Sequence, residues 1–452
     1  MTGDTAPGLR NNRNWRLLWL GQAVSLTGDM VFYVTILLWI ATIIAKGQTW
    51  APAAASGALL ATAVPVLVVG PVAGVWVDRW DRRRTMLTAD AARTLLIACL
   101  LVLPALGHRI PLGAQLAIVY TVLAVASCFA EFFGPSRLAI LGAIVPPQDQ
   151  PKASGQLTAA FSLAQVIGPP IAAPLLFVFG VEWALLLNAA SFAVSFICVR
   201  AIAVPAASAD ESLPRARFVE DFRAGLRFFV GNKILMTLGI GIVIAMLGNG
   251  AVNALAVFFV RSNLHVAASL LGAVIGSVGV GAINGALLVG VISRRIHPAQ
   301  IFWLALLTCG VALIAFARTT ALPAAIVAAV VLGLGAGALN AALSPVLLGV
   351  TPSRLLGRVS AVISPMQQLA SIVSMALAGL FASTVLRGFH EVIGGVTFGP
   401  YDTVLAFGGL LFVIAGLASI APMRAAGAGS AAAVEPEQLA AGDPSLDGAP
   451  VE

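Results

Sequence analysis

Residues 16–45 read RLLWLGQAVSLTGDMVFYVTILLWIATIIA, an apolar run interrupted by one carboxylate, Asp29. A run of this length without period-two alternation predicts a membrane-spanning helix, since about 20 apolar residues cross the hydrocarbon core. Asp29 follows Arg16 by about 20 Å of helix, which places it near the bilayer centre. A charge at that depth costs at least about 2.5 kcal/mol, so Asp29 is a candidate functional residue.

The same apolar character extends along the whole chain. Hydrophobic residues make up 59% of the 452 residues and charged residues 10%, with a mean hydropathy of +0.97, against roughly 25% charged in soluble proteins. Only helix bundles and closed barrels cross a bilayer, and runs near 20 residues favour helices. The sequence therefore predicts an all-α integral membrane protein with twelve spans, at residues 16–45, 53–77, 85–107, 112–141, 153–179, 182–204, 232–260, 267–292, 299–317, 322–350, 357–386 and 401–423.

Positive charge is distributed unevenly between the two sets of loops. Of the 26 Lys and Arg residues, 20 fall on the N-terminus and one set of loops, five on the other set, and Arg93 inside a span. This positive-inside pattern accounts for the net charge of +7 without a nucleic-acid partner. It predicts a multi-pass protein of a bacterial inner (plasma) membrane, with both termini in the cytoplasm.

The spans divide into two sets of six. Residues 1–204 and 232–424 are predicted to form two six-helix bundles, joined by a cytoplasmic linker at 205–231. Within the linker, Phe218, Phe222, Leu226 and Phe229 share one helical face and charged residues occupy the rest, as in a helix lying on the membrane surface. Residues 425–452 are rich in Ala, Gly and Pro with only acidic charges, so we expect a disordered tail.

Polar groups inside the spans mark the candidate solute path. Gln22, Ser25, Asp29 and Tyr33 form one stripe on the first span, and such stripes face a bundle interior or a water-filled cavity. Asp29 has no charged residue at helical spacing. It is either a proton-binding or solute-binding group, because a carboxyl group removed from water can exchange a proton near neutral pH, or a protonated structural group.

Several chemistries lack their motifs. The four cysteines lie singly within apolar spans and the four histidines are not grouped, so no metal site is predicted. No lysine follows a glycine in a phosphate loop, and no protease or lipase motif occurs. The sequence therefore predicts neither an enzyme nor a cofactor.

The loop Gly74-Val-Trp-Val-Asp78-Arg79-Trp-Asp81-Arg82-Arg83-Arg84 resembles the signature loop of the major facilitator superfamily, with Asp81 at the second glycine of that motif. Further stretches resemble the branch that contains macrolide-efflux-type proteins and enterobactin-type exporters, namely residues 14–22 with 28–29, residues 90–93, residues 132–146 and residues 218–229. The resemblance implies twelve helices in two bundles around a central cavity.

The resemblance also implies roles for individual residues. Spans 1, 4, 7 and 10 would line the cavity and offer substrate-binding groups at Gln22, Ser25, Asp29, Tyr33, Tyr120, Ser127, Asn249, Asn253 and Asn340. Asp29 and Glu131 would be the proton-coupling groups. A gate that latches the halves while the cavity faces outward would comprise Gly74, Asp78, Arg79, Arg82, Arg83, Glu131, Asp90 and Arg93. From the residues alone, the arginines could equally anchor the loop at lipid headgroups, and Asp90 and Arg93, three apart on one helix face, could form a structural ion pair.

The expected function is secondary active efflux, by proton antiport, of a hydrophobic or amphiphilic molecule such as a macrolide or a siderophore. Gly168-Pro169-Pro170 resembles a degraded antiporter signature, with alanines at its other glycine positions. Import, lysolipid transport, a receptor and a lipid-modifying enzyme remain alternatives. The expected partners are a small solute, protons and the lipid bilayer around a monomer.

Overall fold

A computed structural model describes residues 9, 11–77, 79–106, 109–203, 218–293, 295–351, 353–386, 389, 391–393 and 396–441. For residues 71, 74–75, 218–222, 224–225, 268, 353–354, 356–357, 360–361, 364, 391–393, 396–398 and 425–441 it describes the backbone alone.

Within the described part of the chain, twelve helices are long and apolar enough to cross a membrane, as the sequence predicts. Helix α1 continues as a π-helical turn at Ile40–Ile44, and the short α4 continues α3. The helices are α1 Arg13–Trp39, α2 Ala51–Val77, α3 Arg82–Leu100, α4 Val102–Leu106, α5 Leu112–Ile144, α6 Gln150–Pro174, α7 Val181–Ala201, α8 Phe218–Gly231, α9 Lys233–Ser262, α10 Leu271–Ile292, α11 Pro298–Ala317, α12 Leu322–Val350, α13 Ser353–Ser383 and α14 Pro400–Ala441.

The helices before and after α8 pack into two bundles. In the first, α1 packs against α6 and α7, and α5 packs against α2 and α3. In the second, α11 packs against α12 and α14, and α9 against α13 and α14. Helix α8 lies against α13 and α9, with Phe229 buried beside Gly239. We call these two bundles the N-terminal half and the C-terminal half.

Helix α14 extends beyond its membrane span to Ala441, into the segment for which the sequence predicts disorder. This stretch contains several alanines, which have the highest intrinsic helix propensity, and that explains a helical backbone here. Residues 442–452 lie outside the described part of the chain.

Small residues allow α10 and α12 to pack backbone against backbone. A Cβ atom at Gly281 or Gly285 would collide with carbonyl groups of α12, and one at Gly333 or Gly337 with carbonyl groups of α10. Such close approach is the usual basis of helix association in lipid, where hydrophobic burial provides little drive. These glycines of α10 and α12 therefore form packing surfaces.

The two halves contact each other away from the arginine-rich loop at residues 79–84. We call the side of that loop the Arg-rich side and the opposite side, where Lys46 lies, the Lys46 side. Near the Lys46 side, the Ala53 amide donates to Ser383 Oγ at 3.1 Å, and Gly379 faces Ser56. A second contact joins Gly272 of α10 to the backbone of Pro169 in α6.

Two further contacts between the halves lie in the same parts of these helices. Gln368 of α13 donates to the Ala63 carbonyl of α2 at 3.4 Å, and Gly276 of α10 faces Pro170 of α6. These contacts join the halves in the parts of α2 and α6 that lie toward the Lys46 side.

A small β-hairpin interrupts the otherwise helical fold of the described residues. Strands β1 Glu391–Ile393 and β2 Val396–Phe398 pair antiparallel between α13 and α14. On the same Lys46 side, Arg318 forms an ion pair of 2.9 Å with the buried Asp402, which ties the end of α11 to the start of α14. The predicted helical fold is confirmed, with this hairpin as an addition.

Candidate functional site

Asp29 faces a cavity inside the N-terminal half. The cavity has a volume of about 200 Å³ and is enclosed by α1, α2, α3, α5 and α7. Its polar and charged lining comprises Asp29, Tyr33, Thr62, Arg93, Ser127 and Asn188, and the rest is apolar. We call it the Asp29 cavity. A space of this size with several polar groups in its wall has room for water molecules, which would bring water to the Asp29 carboxyl group deep in the bundle.

Asp90 and Arg93 form the ion pair that their spacing predicts. Arg93 Nη2 donates to Asp90 Oδ1 at 2.6 Å, and both side chains are almost completely buried. The guanidinium group also lies 4.8 Å from the ring centre of Phe133 and 4.3 Å from that of Phe192. The charge of Arg93 is therefore compensated by a carboxylate and two aromatic faces, which reduces the cost of burying it.

Asp29 has no charged residue at helical spacing on its own helix, but two charged residues of another helix lie near it in the structure. Arg93 and Asp90 of α3 are close enough to act electrostatically on the Asp29 carboxyl group, although no ion pair joins it to them among the described residues. Helical spacing could not reveal this, because the neighbours lie on another helix. The site thus contains two carboxylates and one arginine.

Asn188 and Ser191 of α7 are site residues that the sequence analysis missed. The Ser191 hydroxyl donates to the Asn188 carbonyl oxygen at 2.8 Å, and Gly28 packs directly against Ser191. Asn188 is 1% exposed and lines the Asp29 cavity, yet its Nδ2 atom has no hydrogen-bond partner within the described structure. An unsatisfied buried donor beside a cavity indicates a position for water or another ligand.

A second cavity lies between the two halves, near the Lys46 side. It has a volume of about 250 Å³ and is lined by α1, α2 and α6 from one half and α9 and α10 from the other. Its polar side chains are Tyr33, Gln165 and Asn253, and the remaining lining is apolar. We call it the inter-half cavity. It contains Tyr33 and Asn253 from the predicted substrate-binding set, and it adds Gln165 to them.

The other predicted substrate-binding residues have different surroundings. Gln22 accepts a hydrogen bond of 2.9 Å from Arg137, and Ser25 is buried. The Tyr120 hydroxyl donates to the Ala54 carbonyl at 2.6 Å, which ties α5 to α2. Ser127 lines the Asp29 cavity. Asn249 and Asn340 are exposed, and Asn340 donates to a carbonyl of its own helix.

Arg137 is a further charged group that the sequence analysis did not single out. It lies within α5, and its Nε atom is buried without a partner in the described structure, while Nη1 holds Gln22 of α1. The predicted boundary of this span at residue 141 placed Arg137 near a loop. The helix continues to Ile144, so Arg137 lies inside the bundle.

Part of the predicted gate can be located. Asp78 lies outside the described residues, and Gly74 is described by its backbone position in α2 alone. Arg79 and Arg82 are exposed, and Arg83 donates to the Val199 carbonyl at 3.2 Å and to the Arg200 carbonyl, at the end of α7.

Asp81, the departure from the signature loop, caps α3 by accepting the Arg84 amide at 2.6 Å. Side-chain caps of this type satisfy an orphan amide at a helix N-terminus. The unusual residue therefore has a local structural role.

Glu131 lies on α5 facing Gly70 of α2, where a Cβ atom on Gly70 would lie 2.9 Å from Glu131 Oε2. No ion pair joins it to Arg82 in the part of the chain that is described. The latch is predicted for the state that is closed on the Arg-rich side, and it stays a prediction.

No group of three or more His, Cys, Asp or Glu side chains that could hold a metal occurs among the described residues.

A family model described as Major Facilitator Superfamily matches residues 18–375, and a second match covers residues 238–437. The chain belongs to this superfamily. Members are transporters rather than enzymes, and the site is accordingly one for transport. The relatives include "Uncharacterized MFS-type transporter YkuC" of Bacillus subtilis, 26% identical over 70% of this chain and 74% of that protein.

Two named efflux proteins are also similar. "Multidrug efflux pump Tap" of Mycobacterium tuberculosis is 27% identical over 71% of this chain and 76% of its own length. "Macrolide efflux protein A" of Streptococcus pyogenes is 26% identical over 50% of this chain and 54% of its own.

Solved structures agree on the fold. A bacterial homologue of the iron transporter ferroportin, in an inward-facing state, has a TM-score of 0.70 at 13% identity, covering 90% of this chain and 98% of that one. A D-xylose-proton symporter has a TM-score of 0.68 at 13% identity, covering 90% and 97%. At such identity these likenesses concern the superfamily fold alone.

Proposed function

We propose that the protein is a proton-coupled exporter of a hydrophobic or amphiphilic small molecule, working by antiport across a bacterial inner membrane. The Arg-rich side is taken as cytoplasmic, from the positive-inside pattern. On that assignment the described contacts between the halves lie toward the outer side, as expected for an inward-facing state that receives solute from the cytoplasm. The two halves would then rock about the central region to expose it outward.

The observation that carries the proposal is the position of Asp29. Its carboxyl group is half-buried at a cavity with several polar groups in its wall, and Arg93, the one arginine in the described lining of that cavity, already pairs with Asp90. With both carboxylates ionised, the cluster of Asp29, Asp90 and Arg93 has one negative charge in excess. A buried excess charge is costly, so a proton on Asp29 would neutralise the cluster. Carrying that proton inward would drive solute outward.

The inter-half cavity supports an amphiphilic solute. Its lining is apolar apart from the phenol of Tyr33 and the amides of Gln165 and Asn253. Mostly apolar walls with a few polar groups are typical of sites for drug-like molecules. The efflux relatives named above are similar over half or more of this chain, which favours a macrolide or another lipophilic drug. A siderophore remains a candidate, as do proton-coupled import and lysolipid transport.

The test is proton flux in proteoliposomes. Reconstituted wild-type protein with erythromycin on the lumenal side and a pH dye inside should show solute-driven proton movement. Asp29→Asn should abolish this movement while erythromycin binding persists. Asp149→Asn is the matched control, since Asp149 is a carboxylate in the short turn before α6 and lies in neither described cavity lining.

The outcomes separate the roles. Unchanged flux in Asp29→Asn would make Asp29 structural. Proton movement in the same direction as erythromycin would replace export by coupled import.

The gate is tested by a pair of variants. Glu131→Gln and Arg82→Ala should each slow the transport cycle, and the double variant should be no slower than either single one. Additive losses would show that the two residues do not act as a pair.

A further inference from the structure

The two cavities share one wall. Met30, Tyr33 and Leu37 line both the Asp29 cavity and the inter-half cavity. These residues are spaced three and four apart along α1, so they form a single stripe of that helix. The stripe borders the Asp29 cavity on one side and the inter-half cavity on the other.

The cavities differ in what they can hold. The Asp29 cavity contains a carboxylate, a guanidinium group and the unpartnered amide of Asn188. The described lining of the inter-half cavity contains no charged side chain. An ion loses its hydration in apolar surroundings at high cost, whereas an apolar solute gains by leaving water. The proton and the organic solute are therefore expected to prefer different cavities.

Tyr33 is the polar member of the shared stripe. Met30 and Leu37 are apolar, while Tyr33 has a rigid ring with a hydroxyl group and is half-buried, one helical turn from Asp29. Because the Tyr33 ring forms part of the wall of both cavities, a molecule that fills one of them affects the position of the ring. A solute in the inter-half cavity would press on the same ring that bounds the water beside Asp29.

We propose that the solute and the proton occupy separate cavities, and that Tyr33 is the positioning residue that couples them. This inference rests on the proposed function of proton-linked transport and specifies where each partner binds. Solute in the inter-half cavity holds Tyr33 against the Asp29 cavity and restricts the access of water to the carboxyl group. Departure of the solute releases the ring and lets the carboxyl group exchange its proton.

The first experiment measures coupling in proteoliposomes with erythromycin and a pH dye. Tyr33→Ala should move erythromycin down its gradient while the number of protons moved per erythromycin falls at least tenfold. Tyr33→Phe should keep the wild-type ratio, because the ring and not the hydroxyl group forms the wall. Tyr401→Ala is the matched control, since Tyr401 is a half-buried tyrosine of α14 that stacks on Phe258 and lies in neither described lining.

The second experiment keeps Tyr33 intact and locates the solute. In protein whose cysteines at 99, 128, 198 and 309 are replaced by alanine, Thr62→Cys reports on the Asp29 cavity and Gln165→Cys on the inter-half cavity. Erythromycin should slow labelling by a small methanethiosulfonate at residue 165 at least fivefold, and at residue 62 less than twofold. In Tyr33→Ala protein, both positions should be protected.

The failures are distinguishable. Wild-type protein that shows no erythromycin-driven proton flux would overturn the proposed function and this inference together. Wild-type protein that couples, with Tyr33→Ala coupling equally well, would overturn only the role of Tyr33. Equal protection of residues 62 and 165 in protein with Tyr33 would show a single shared site. If Tyr33→Ala does not fold, Tyr33→Leu replaces it in the flux test.

Discussion

The interiors of the two halves are built from different materials. The N-terminal half encloses Asp29, Asp90, Arg93 and Arg137 among its helices. In the C-terminal half, α10 and α12 pack backbone against backbone through their glycines. The buried carboxylate in its described part, Asp402, lies at the Lys46 side, where it joins the ends of two helices.

This difference suggests that the two halves contribute differently to transport. Charged groups inside a bilayer are costly and are retained where they act on an ion or a solute. Close glycine packing makes a stiff unit, because interiors at high density transmit displacement instead of absorbing it. The N-terminal half thus contains the buried charges on which the proposed coupling depends, and the closely packed C-terminal half supplies one wall of the inter-half cavity.

The largest effect is expected when Arg93, the cation paired with Asp90 in the N-terminal half, is removed. Arg93→Ala should lower the free energy of unfolding by about 3–5 kcal/mol, because it leaves the Asp90 carboxylate buried without its partner. Thermal and denaturant unfolding in detergent would measure the loss. The double variant Asp90→Leu/Arg93→Met should recover most of it, since apolar residues of similar size remove the uncompensated charge. A single variant as stable as the double one would contradict the importance of the pair.

The packing of the C-terminal half is tested by one methyl group. Gly285→Ala should lower the free energy of unfolding by about 1–3 kcal/mol, because its Cβ would press on the Leu334 carbonyl of α12. Gly290→Ala on the same helix meets no atom within 4 Å and should raise stability by about 0.5–1 kcal/mol. Parallel unfolding curves would measure both. Changes of the same sign would show that the close packing of α10 and α12 is not rigid.

The charge balance of the N-terminal half is tested by Asp90→Asn. With Asp90 neutral, Arg93 is left with Asp29 as its carboxylate, and the cluster no longer has a negative charge in excess. Solute-driven proton flux should fall about tenfold, which corresponds to about 1.4 kcal/mol in favour of ionised Asp29. Thr94→Val, which removes a hydroxyl bound to the Asp90 backbone carbonyl, is the uncharged control. Unchanged proton flux in Asp90→Asn would show that Asp90 has no part in coupling and that Asp29 acts without it.

The smallest effects concern the loops on the Arg-rich side. Asp81 caps α3, and in the C-terminal half His297 caps α11 by accepting the Ala299 amide at 3.2 Å. Asp81→Ala should cost about 1 kcal/mol of unfolding free energy and Asp81→Gly a few tenths, as is usual for caps. His297→Ala should cost about 0.5 kcal/mol, because its hydrogen bond is longer. A larger loss for His297→Ala than for Asp81→Ala in unfolding experiments would reverse this ranking.

Local features of the chain were predictable because they depend on neighbours in sequence. The twelve spans follow from length and hydropathy, and the Asp90–Arg93 ion pair follows from a spacing of three on one helix. The neighbours of Asp29 could not be predicted in this way. Arg93 and Asn188 reach it from α3 and α7, and their approach depends on how each helix is rotated about its own axis.

The sequence by itself determined a membrane protein of twelve helices in a known superfamily, since apolar length and one signature loop suffice for both. Tertiary packing alone decided what each polar group does. It directs the hydroxyl of Tyr120 to the backbone of α2 and pairs Gln22 with Arg137 through a hydrogen bond. It also places Tyr33 between two cavities. The physical reason is that a helix has polar residues at fixed angles, while the partners at those angles come from whichever helices pack beside it.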